Sequence, residues 1–435
     1  MSSESTESVS PEGNKRVQLG PREIVLPEEW EIAPIKELFD IEKDSFDPSE
    51  LESDSDVMLY SMPAYDSNRE PIRTPASEIG SKKYRVPQDT VLFPKLNIRK
   101  RRFWRVRHDH SHPAVCSTEY WPLLPKISLE LDFYHYYFDS YEFTSNPKVT
   151  SSSSTNSHKR VKQSSFEKLR LPVPPIPEQR RIADILSTVD EQIQQTDESI
   201  EKAKELLSGV QQDLFTEGYF EHTEIDTRRL IEAPLNWDIR PLSEFTVDSA
   251  YGPRFSSDEY AENGDLATLR TTDLNDDGSI NHETMPLADL SPSDFEDHLL
   301  EENDFIISRT GAYCGICTVW DGYSTPTVPG AYMIRFRLTD ELDARFLRDY
   351  LNSSVGSKKV DVLARGSSQK NLAGSDLLSM YIPVPSKEEQ GRIVDTIQTV
   401  RTRIQDERET KQNLQELKRG LMQDLLTGKV RVNTD

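Results

Sequence analysis

The chain says one thing twice, and that repeat limits its possible folds more than any other feature. Residues 171–181 read LPVPPIPEQRR and residues 382–392 read IPVPSKEEQGR. Pro172, Val173, Pro174, Glu178, Gln179 and Arg181 thus return as Pro383, Val384, Pro385, Glu389, Gln390 and Arg392, at a constant offset of 211. The register continues without a gap, since Ile182, Val189, Ile193, Leu206, Gly209, Gln212 and Leu214 return as Ile393, Val400, Ile404, Leu417, Gly420, Gln423 and Leu425. Further upstream, Trp30, Ile32 and Pro34 are echoed by Trp237, Ile239 and Pro241 at an offset of 207. Such a chain is expected to be two copies of one unit, each a variable globular part followed by a common helix.

Pro177 suits the first turn of a helix, and Glu178 beside it complements the positive end of the helix dipole. Beyond them Ile182, Leu186, Val189, Ile193, Thr196, Ile200, Ala203, Leu207, Val210 and Leu214 alternate steps of four and three, which is a heptad seam. At about 1.5 Å per residue, forty residues make a rod of roughly 60 Å. The second copy keeps Ile393, Ile397, Val400, Ile404, Leu414, Leu421 and Leu425 on the seam, with Glu407 and Lys411 interrupting it. Two such rods in one chain are expected to pair antiparallel, which would set the globular parts at opposite ends.

The globular parts read as strand-rich. Short apolar runs at 90–93, 103–106 and 127–131 predict strands in the first, and the second repeats the pattern with turns at Asn263-Gly264 and Asp277-Gly278. The expected class is α+β, two strand-rich domains separated by two long antiparallel coiled-coil helices with a pseudo-twofold internal repeat. The expected boundaries are a disordered tail over 1–20, a first domain over 21–170, a helix over 171–217, a linker over 218–234, a second domain over 235–382, a helix over 383–428 and a tail over 429–435. Residues 151–165, serine-rich with scattered basic residues, read as a mobile loop.

A length of 435 residues allows two or three cored domains. The net charge of -23, from 75 acidic and 52 basic residues, speaks to solubility rather than to any one site, and its even spread suggests a halophilic, salty cytoplasm. Salt at that level would screen non-specific phosphate attraction and leave nucleic-acid recognition to base edges. Three cysteines give no disulfide framework and suit a reducing cytoplasm. The first residues lack an apolar signal region, and no run of eighteen apolar residues exists to form a membrane helix.

Against this acidic background Lys95, Arg99, Lys100, Arg101, Arg102, Arg105 and Arg107 form a basic island interleaved with Phe103 and Trp104, with no acid among residues 95–107. Guanidinium groups can bond guanine edges and phosphates bidentately, so DNA contact is preferred over a solvated strand face. In the second domain Ser308, Arg309 and Thr310 follow an apolar strand and precede Gly311, which would aim polar side chains off a strand end. Arg365, Ser368, Gln369, Lys370 and Asn371 offer Arg for guanine and Gln or Asn for adenine, with a solvated loop as the competing reading. His108, His110 and His112 read as a polar turn rather than a metal site, and Cys314 with Cys317 as buried strand cysteines. No phosphate-binding Gly-Lys loop, Gly-rich nucleotide turn or Asn-Pro-Pro-aromatic tetrad is present, so no catalytic or metal residue is expected.

On these residues the chain resembles the specificity subunits of type I restriction-modification systems, whose two target-recognition domains are each followed by a helix opening with a proline-rich turn, Glu-Gln and Ile. Further likenesses are Tyr251-Gly252, residues 269–280 with Arg270, DFIISRTG over 304–311, RGSSQKNL over 365–372, TVLFPKLN over 90–97 with Lys95 and Asn97, and residues 116–119. The resemblance implies that each domain reads one half of a bipartite sequence in double-stranded DNA and that the rods set the spacing. It also implies that two methyltransferase subunits dock along Gln179, Ile182, Leu186, Val189 and Ile193 and along Gln390, Ile393, Ile397, Val400 and Ile404, and that a restriction subunit joins them. No cofactor is implied for this chain, with S-adenosylmethionine, ATP and Mg belonging to the partner subunits. The rival readings are a coiled-coil scaffold without DNA reading, against which the basic island and the unlike domains speak, and a self-sufficient enzyme, against which the missing motifs speak.

Overall fold

Prolines at the start of each repeated motif forbid a helix there, so each copy begins as a strand. In the computed structural model Arg170–Val173 pairs antiparallel with Glu31–Pro34, and Tyr381–Val384 pairs antiparallel with Asp238–Pro241. The two echoes noted in the sequence are therefore the two strands of one small sheet, made once in each copy. The helices follow directly, over Ile176–Thr216 and Lys387–Leu425. The structure describes residues 14–19, 22–47, 55–108, 112–146, 160–222, 224–275, 277–364 and 370–434. They fall into two units, the first containing residues up to 196 together with 410–435 and the second residues 197–409.

In the first unit, Trp104–Arg107, Asp89–Pro94, Tyr120–Pro125 and Phe39–Ile41 form an antiparallel sheet in that order. A five-stranded mixed sheet places Ala114–Ser117 parallel to Asp56–Tyr60. The core is aromatic, with Trp30, Phe93, Phe103, Phe133, Tyr134, Phe138 and Phe166 buried together. Ile182 and Leu186 of the first long helix and Met422, Leu425 and Leu426 at the end of the second join that same core.

In the second unit, Thr246–Tyr251, Met333–Leu338, Phe305–Ser308 and Cys317–Val319 form an antiparallel sheet, and a second four-stranded sheet pairs Leu266–Leu269 parallel to Thr327–Pro329. Phe215 from the first long helix and Ile393, Val394 and Ile397 from the second enter its core.

Within each unit the two long helices run antiparallel. In the first, Asp190 meets Lys418 while Glu178, earlier in its helix, meets Arg431 beyond the end of the other. In the second, His222, just past the first helix, meets Glu389 at the start of the second. The predicted seam is buried at Ile182, Leu186, Val189, Thr196, Ile200 and Ala203, and then it drifts: Gln211 and Phe215 turn inward while Val210 and Leu214 are only half-buried. A helix of 3.6 residues per turn rotates by about 20° per heptad against a 3.5 repeat, which moves the buried stripe by one position over this length.

Three expectations are corrected. The stretch 127–131 is no strand; bends lead into the helix Leu131–Asp139, whose Phe133, Tyr134, Tyr137 and Phe138 share a buried face at helical spacing. The supposed linker over 218–234 contains a hairpin, Ile225–Arg228 against Ile231–Pro234, held because Ile231 and Ala233 alternate inward. The tails are shorter than expected: Asn14–Leu19 pairs with Arg22–Pro27, while residues 1–13 lie outside the described residues. At the other end Arg431 bonds Glu178 and Glu29. Among the described residues no helix is long and apolar enough to cross a membrane.

The structure also explains why Glu-Gln returns. Glu178, 2% exposed, accepts from Trp30 Nε1 at 2.9 Å and from Arg431 Nε at 2.7 Å. Glu389, equally buried, accepts from Trp237 Nε1 at 3.0 Å and from the Tyr219 and Phe220 amides, and lies 2.8 Å from His222 Nε2. Gln179 accepts from the Glu130 amide at 2.9 Å and donates to the Pro174 carbonyl at 2.7 Å. Gln390 does the same with the Asp343 amide at 2.7 Å and the Pro385 carbonyl at 3.0 Å. Glu130 and Asp343 each stand at the start of a head helix, Leu131–Asp139 and Ala344–Asn352. The glutamate thus ties the long helix to the small sheet and to the segment after the other long helix, and the glutamine ties it to the globular head.

Candidate nucleic-acid interface

Both units build the same corner at the end of a central strand. In the second unit the strand Phe305–Ser308 leads to Arg309 and Thr310, then to Gly311 in the left-handed region at φ +74°, which glycine tolerates freely. A returning segment closes the corner: Thr310 bridges Asn371, the Leu372 amide donates to the Arg309 carbonyl at 2.8 Å, and the Gly311 amide donates to the Lys370 carbonyl at 3.2 Å. Arg309 Nη2 donates to Asn371 Oδ1 at 3.2 Å, and its guanidinium lies 4.8 Å from the Tyr251 ring centroid. Tyr251 Oη accepts from the Gly374 amide at 2.9 Å. Four residues singled out from the sequence, Tyr251, Arg309, Thr310 and Asn371, therefore meet at one place.

Lys370 stands beside them, paired with Asp361 at 2.7 Å. Fixing a guanidinium by stacking and a side-chain carbonyl leaves its remaining donors oriented, which is what bidentate reading of a base edge requires.

In the first unit Lys95 and Leu96 occupy the places of Arg309 and Thr310. Leu96 bridges Arg160 and the Val161 amide donates to the Lys95 carbonyl at 2.8 Å. Asn97, at φ 51°, stands where Gly311 stands. The segment that closes this corner is the end of the serine-rich stretch, where Arg160 and Val161 take the places of Asn371 and Leu372. Arg160 was missed in the sequence. Placing TVLFPKLN over DFIISRTG would have found it, because the returning residue must then lie opposite Leu96.

Several expected contacts are corrected. Ser308 is fully buried, as is the whole strand Phe305–Ser308, so its hydroxyl is not offered at the surface. Arg270 is held by Asp273, Nη2 to Oδ1 at 2.8 Å, and donates to the Thr284 carbonyl, so it braces a turn. Arg102 is 7% exposed and forks onto Asp66, with Nε to Oδ1 at 2.6 Å, and holds that carboxyl below the usual range. Arg105 bonds Asp132 at 2.9 Å and Asp89 at 2.5 Å, and Arg107 also bonds Asp132. The basic island is thus partly neutralised by acids distant in sequence, and Phe103 and Trp104 are core residues. What it leaves at the surface is the turn Ile98–Lys100 with Arg99, Lys100 and Arg101 exposed, flanked by left-handed Asn97 and Arg101.

Arg365, Ser368 and Gln369 lie outside the described residues, as does His110 of the histidine run. Tyr332, 59% exposed, was not anticipated; its carbonyl accepts from the Arg309 amide at 2.9 Å, which sets it beside the corner.

Gln179 and Gln390 are fully buried and fully engaged inside their units, so neither can touch a partner. Ile182, Leu186, Ile393 and Ile397 are likewise core residues, whereas Ile193 and Val400 are half-buried.

Cys317 is buried in a strand and its thiol is pushed up by burial, while Cys314 donates to the Arg309 carbonyl. Among the described residues no three His, Cys, Asp or Glu side chains are grouped as a metal would need.

In the first unit, burial pushes the Asp139 carboxyl up to about 6 although Arg101, Lys418 and Arg69 pull it down. A raised folded pKa means the folded state holds a proton that the unfolded chain, near 3.8, gives up, so this group costs stability above about pH 6 and nothing below about pH 4. Asp139→Asn is therefore expected to raise the melting temperature at pH 8, with the gain fading as pH falls to 4. Thermal unfolding at the two pH values checks it.

The comparisons agree with this geometry. A model of the family described as type I restriction modification DNA specificity domain matches residues 27–205 and again 234–418. The type I restriction enzyme MjaVIII specificity subunit of Methanocaldococcus jannaschii is 29% identical over 275 residues, 61% of this chain and 63% of that protein. The chain therefore spans less than two thirds of that relative's length. The type I restriction enzyme EcoKI specificity subunit of Escherichia coli is 21% identical over 257 residues, 58% of this chain and 54% of that protein. In fold, a chain solved in work on complex assembly and conformational transition of the type I R-M system superposes with a TM-score of 0.61 at 18% identity, over 93% of this chain and 99% of that one.

Proposed function

Since the chain belongs to the type I restriction modification DNA specificity domain family, we propose that it is the non-catalytic specificity subunit of a type I restriction-modification complex. Each unit reads one half of a bipartite double-stranded DNA sequence. The long helices set the spacing between the halves. The observation that carries this reading is the corner made twice, around Arg309 and Asn371 in one unit and around Lys95 and Arg160 in the other. A scaffold would have no use for the same strand-end corner bearing different polar side chains in two copies.

Methyltransferase subunits dock on the exposed faces of the long helices, and a restriction subunit joins them. Two repeated features support docking, because the fold gives no reason for either. Leu206 and Leu417, one repeat apart, are 50% and 51% exposed. Gly209 and Gly420, three residues on, have nothing within 4 Å of where a side chain would begin. A mid-helix glycine costs about 1 kcal/mol against alanine, so keeping it twice on an open face points to a surface that something else approaches.

S-adenosylmethionine, ATP and Mg act in those partners. The net charge of -23 suits a cytoplasm of high salt, where base-edge contacts outlast phosphate attraction. Long-read methylation mapping of the host, with and without this gene, tests the reading. One two-part methylated adenine motif is expected to vanish on deletion; survival of every methylated motif would refute it.

A further inference from the structure

Each head meets its long helix at polar contacts beyond the shared glutamine tie, Arg180 with Glu130 in the first unit and Arg408 with Asp277 in the second among them, and at one equivalent place the two contacts are chemically inverted. The glutamine ties fix the correspondence: Glu130 and Asp343 are equivalent, so Tyr136 and Asp349, six residues on, occupy the same place in the head helices. In the long helices the offset of 211 makes Asp190 equivalent to Arg401.

In the first unit Tyr136 Oη donates to Asp190 Oδ2 at 2.8 Å, so the head supplies the donor and the long helix the acid. In the second unit Arg401 Nη1 donates to Asp349 Oδ1 at 2.5 Å, so the long helix supplies the donor and the head the acid.

Each pair has a third member of the same kind. Lys418 bonds Asp190 at 2.5 Å and sits 5.2 Å from the Tyr136 ring centroid. Arg348 bonds Asp349 at 2.7 Å. Both sites therefore hold an acid, a cation and a further donor, with the acid moved from one element to the other. Tyr136 and Asp349 are 6% and 0% exposed and Arg401 is 15% exposed, so water does little to soften a wrong pairing at the second site, while Asp190 at the first is 41% exposed.

We propose that these contacts are a pairing code by which each head is accepted by its own long helix and refused by the other. The second head on the first helix would set the Asp349 carboxylate, with the head's own Arg348, against Asp190 and Lys418, placing acid against acid and taking the Tyr136 hydroxyl from Asp190. The first head on the second helix would leave the Arg401 guanidinium, 15% exposed, facing Tyr136 with no acid. Each head also runs through its strand straight into its own long helix, so the code bears on a head carried to the other position, where the strand, proline turn and Glu-Gln tie are the same. Tyr136, Asp190, Asp349 and Arg401 act as positioning residues, and the code is independent of which bases the heads read.

The test transplants the first unit's pair into the second. In the full chain, D349Y and R401D are made separately and together, and thermal unfolding is followed. Each single variant strands a buried charge or opposes two acids and is expected to lower the melting temperature by roughly 10 °C. The double variant restores an acid on the long helix facing a tyrosine on the head, with Arg348 in the part of Lys418, and is expected to recover most of that loss. Should R401D fail to fold, R401Q replaces it in the cycle. Single variants without effect, or a double variant as unstable as the worse single, would overturn the proposal, because a pair that merely fills space would not be rescued by the other unit's chemistry.

Discussion

Glu389→Ala is expected to lower the melting temperature of the chain by roughly 10 °C or more. The carboxylate is 2% exposed and is the common acceptor for the Trp237 indole, the Tyr219 and Phe220 amides and, 2.8 Å away, the His222 ring. Truncating it leaves the buried Trp237 indole and the part-buried Tyr219 and Phe220 amides without that acceptor. Removing one partner of a buried, hydrogen-bonded charge costs about 3–5 kcal/mol. For a unit of this size each kcal/mol moves the midpoint by about 2–4 °C.

The loss should spread through two elements at once, because Trp237 leads into the strand Asp238–Pro241 and residues 219–222 lead into the hairpin that follows. Glu389→Gln keeps one acceptor oxygen and should lose about half as much. Thermal unfolding of the three proteins checks it. Unchanged melting of the alanine variant would remove the physical account of why Glu-Gln returns at an offset of 211.

The long helices and their antiparallel pairing were legible because a heptad seam specifies a partner, whereas the strand that opens each motif overlaps the spans expected as helix over 171–217 and 383–428, although its prolines exclude helix there. The Trp30 and Glu178 echoes were equally visible, yet nothing in the sequence says that indole and carboxylate touch across 148 residues.

Charge misled for the same reason. Residues 95–107 contain no acid, but Asp66, Asp89 and Asp132 arrive from elsewhere in the chain and engage Arg102, Arg105 and Arg107. The corner in the second unit was legible because DFIISRTG ends a strand in a glycine turn. Its counterpart was half hidden, since Asn97 does the work of that glycine and Arg160 comes from a stretch whose composition suggests only a loop. The hairpin over 225–234 was masked by polar residues, although Ile231 and Ala233 alternate as a half-buried strand should.

Exchanging residues 21–170 for the corresponding domain of another family member should rewrite one half of the recognised sequence and leave the other half intact. Lys95, Asn97, Arg99, Lys100 and Arg160 all fall in that segment, whereas Tyr251, Arg309, Asn371 and Tyr332 fall in the second unit, whose sheets and core contain none of the exchanged residues. Each base pair misread costs about 1–3 kcal/mol, so a changed head abandons its old half-site altogether. The incoming domain needs a donor where Tyr136 stands, or it will not seat against Asp190.

Methylation mapping of cells carrying the exchanged chain with its partner subunits is the direct measurement. A motif altered in one half only, with the same spacing to an unchanged second half, is the predicted result. A motif altered in both halves would contradict the claim that two separate heads each read their own part of the DNA.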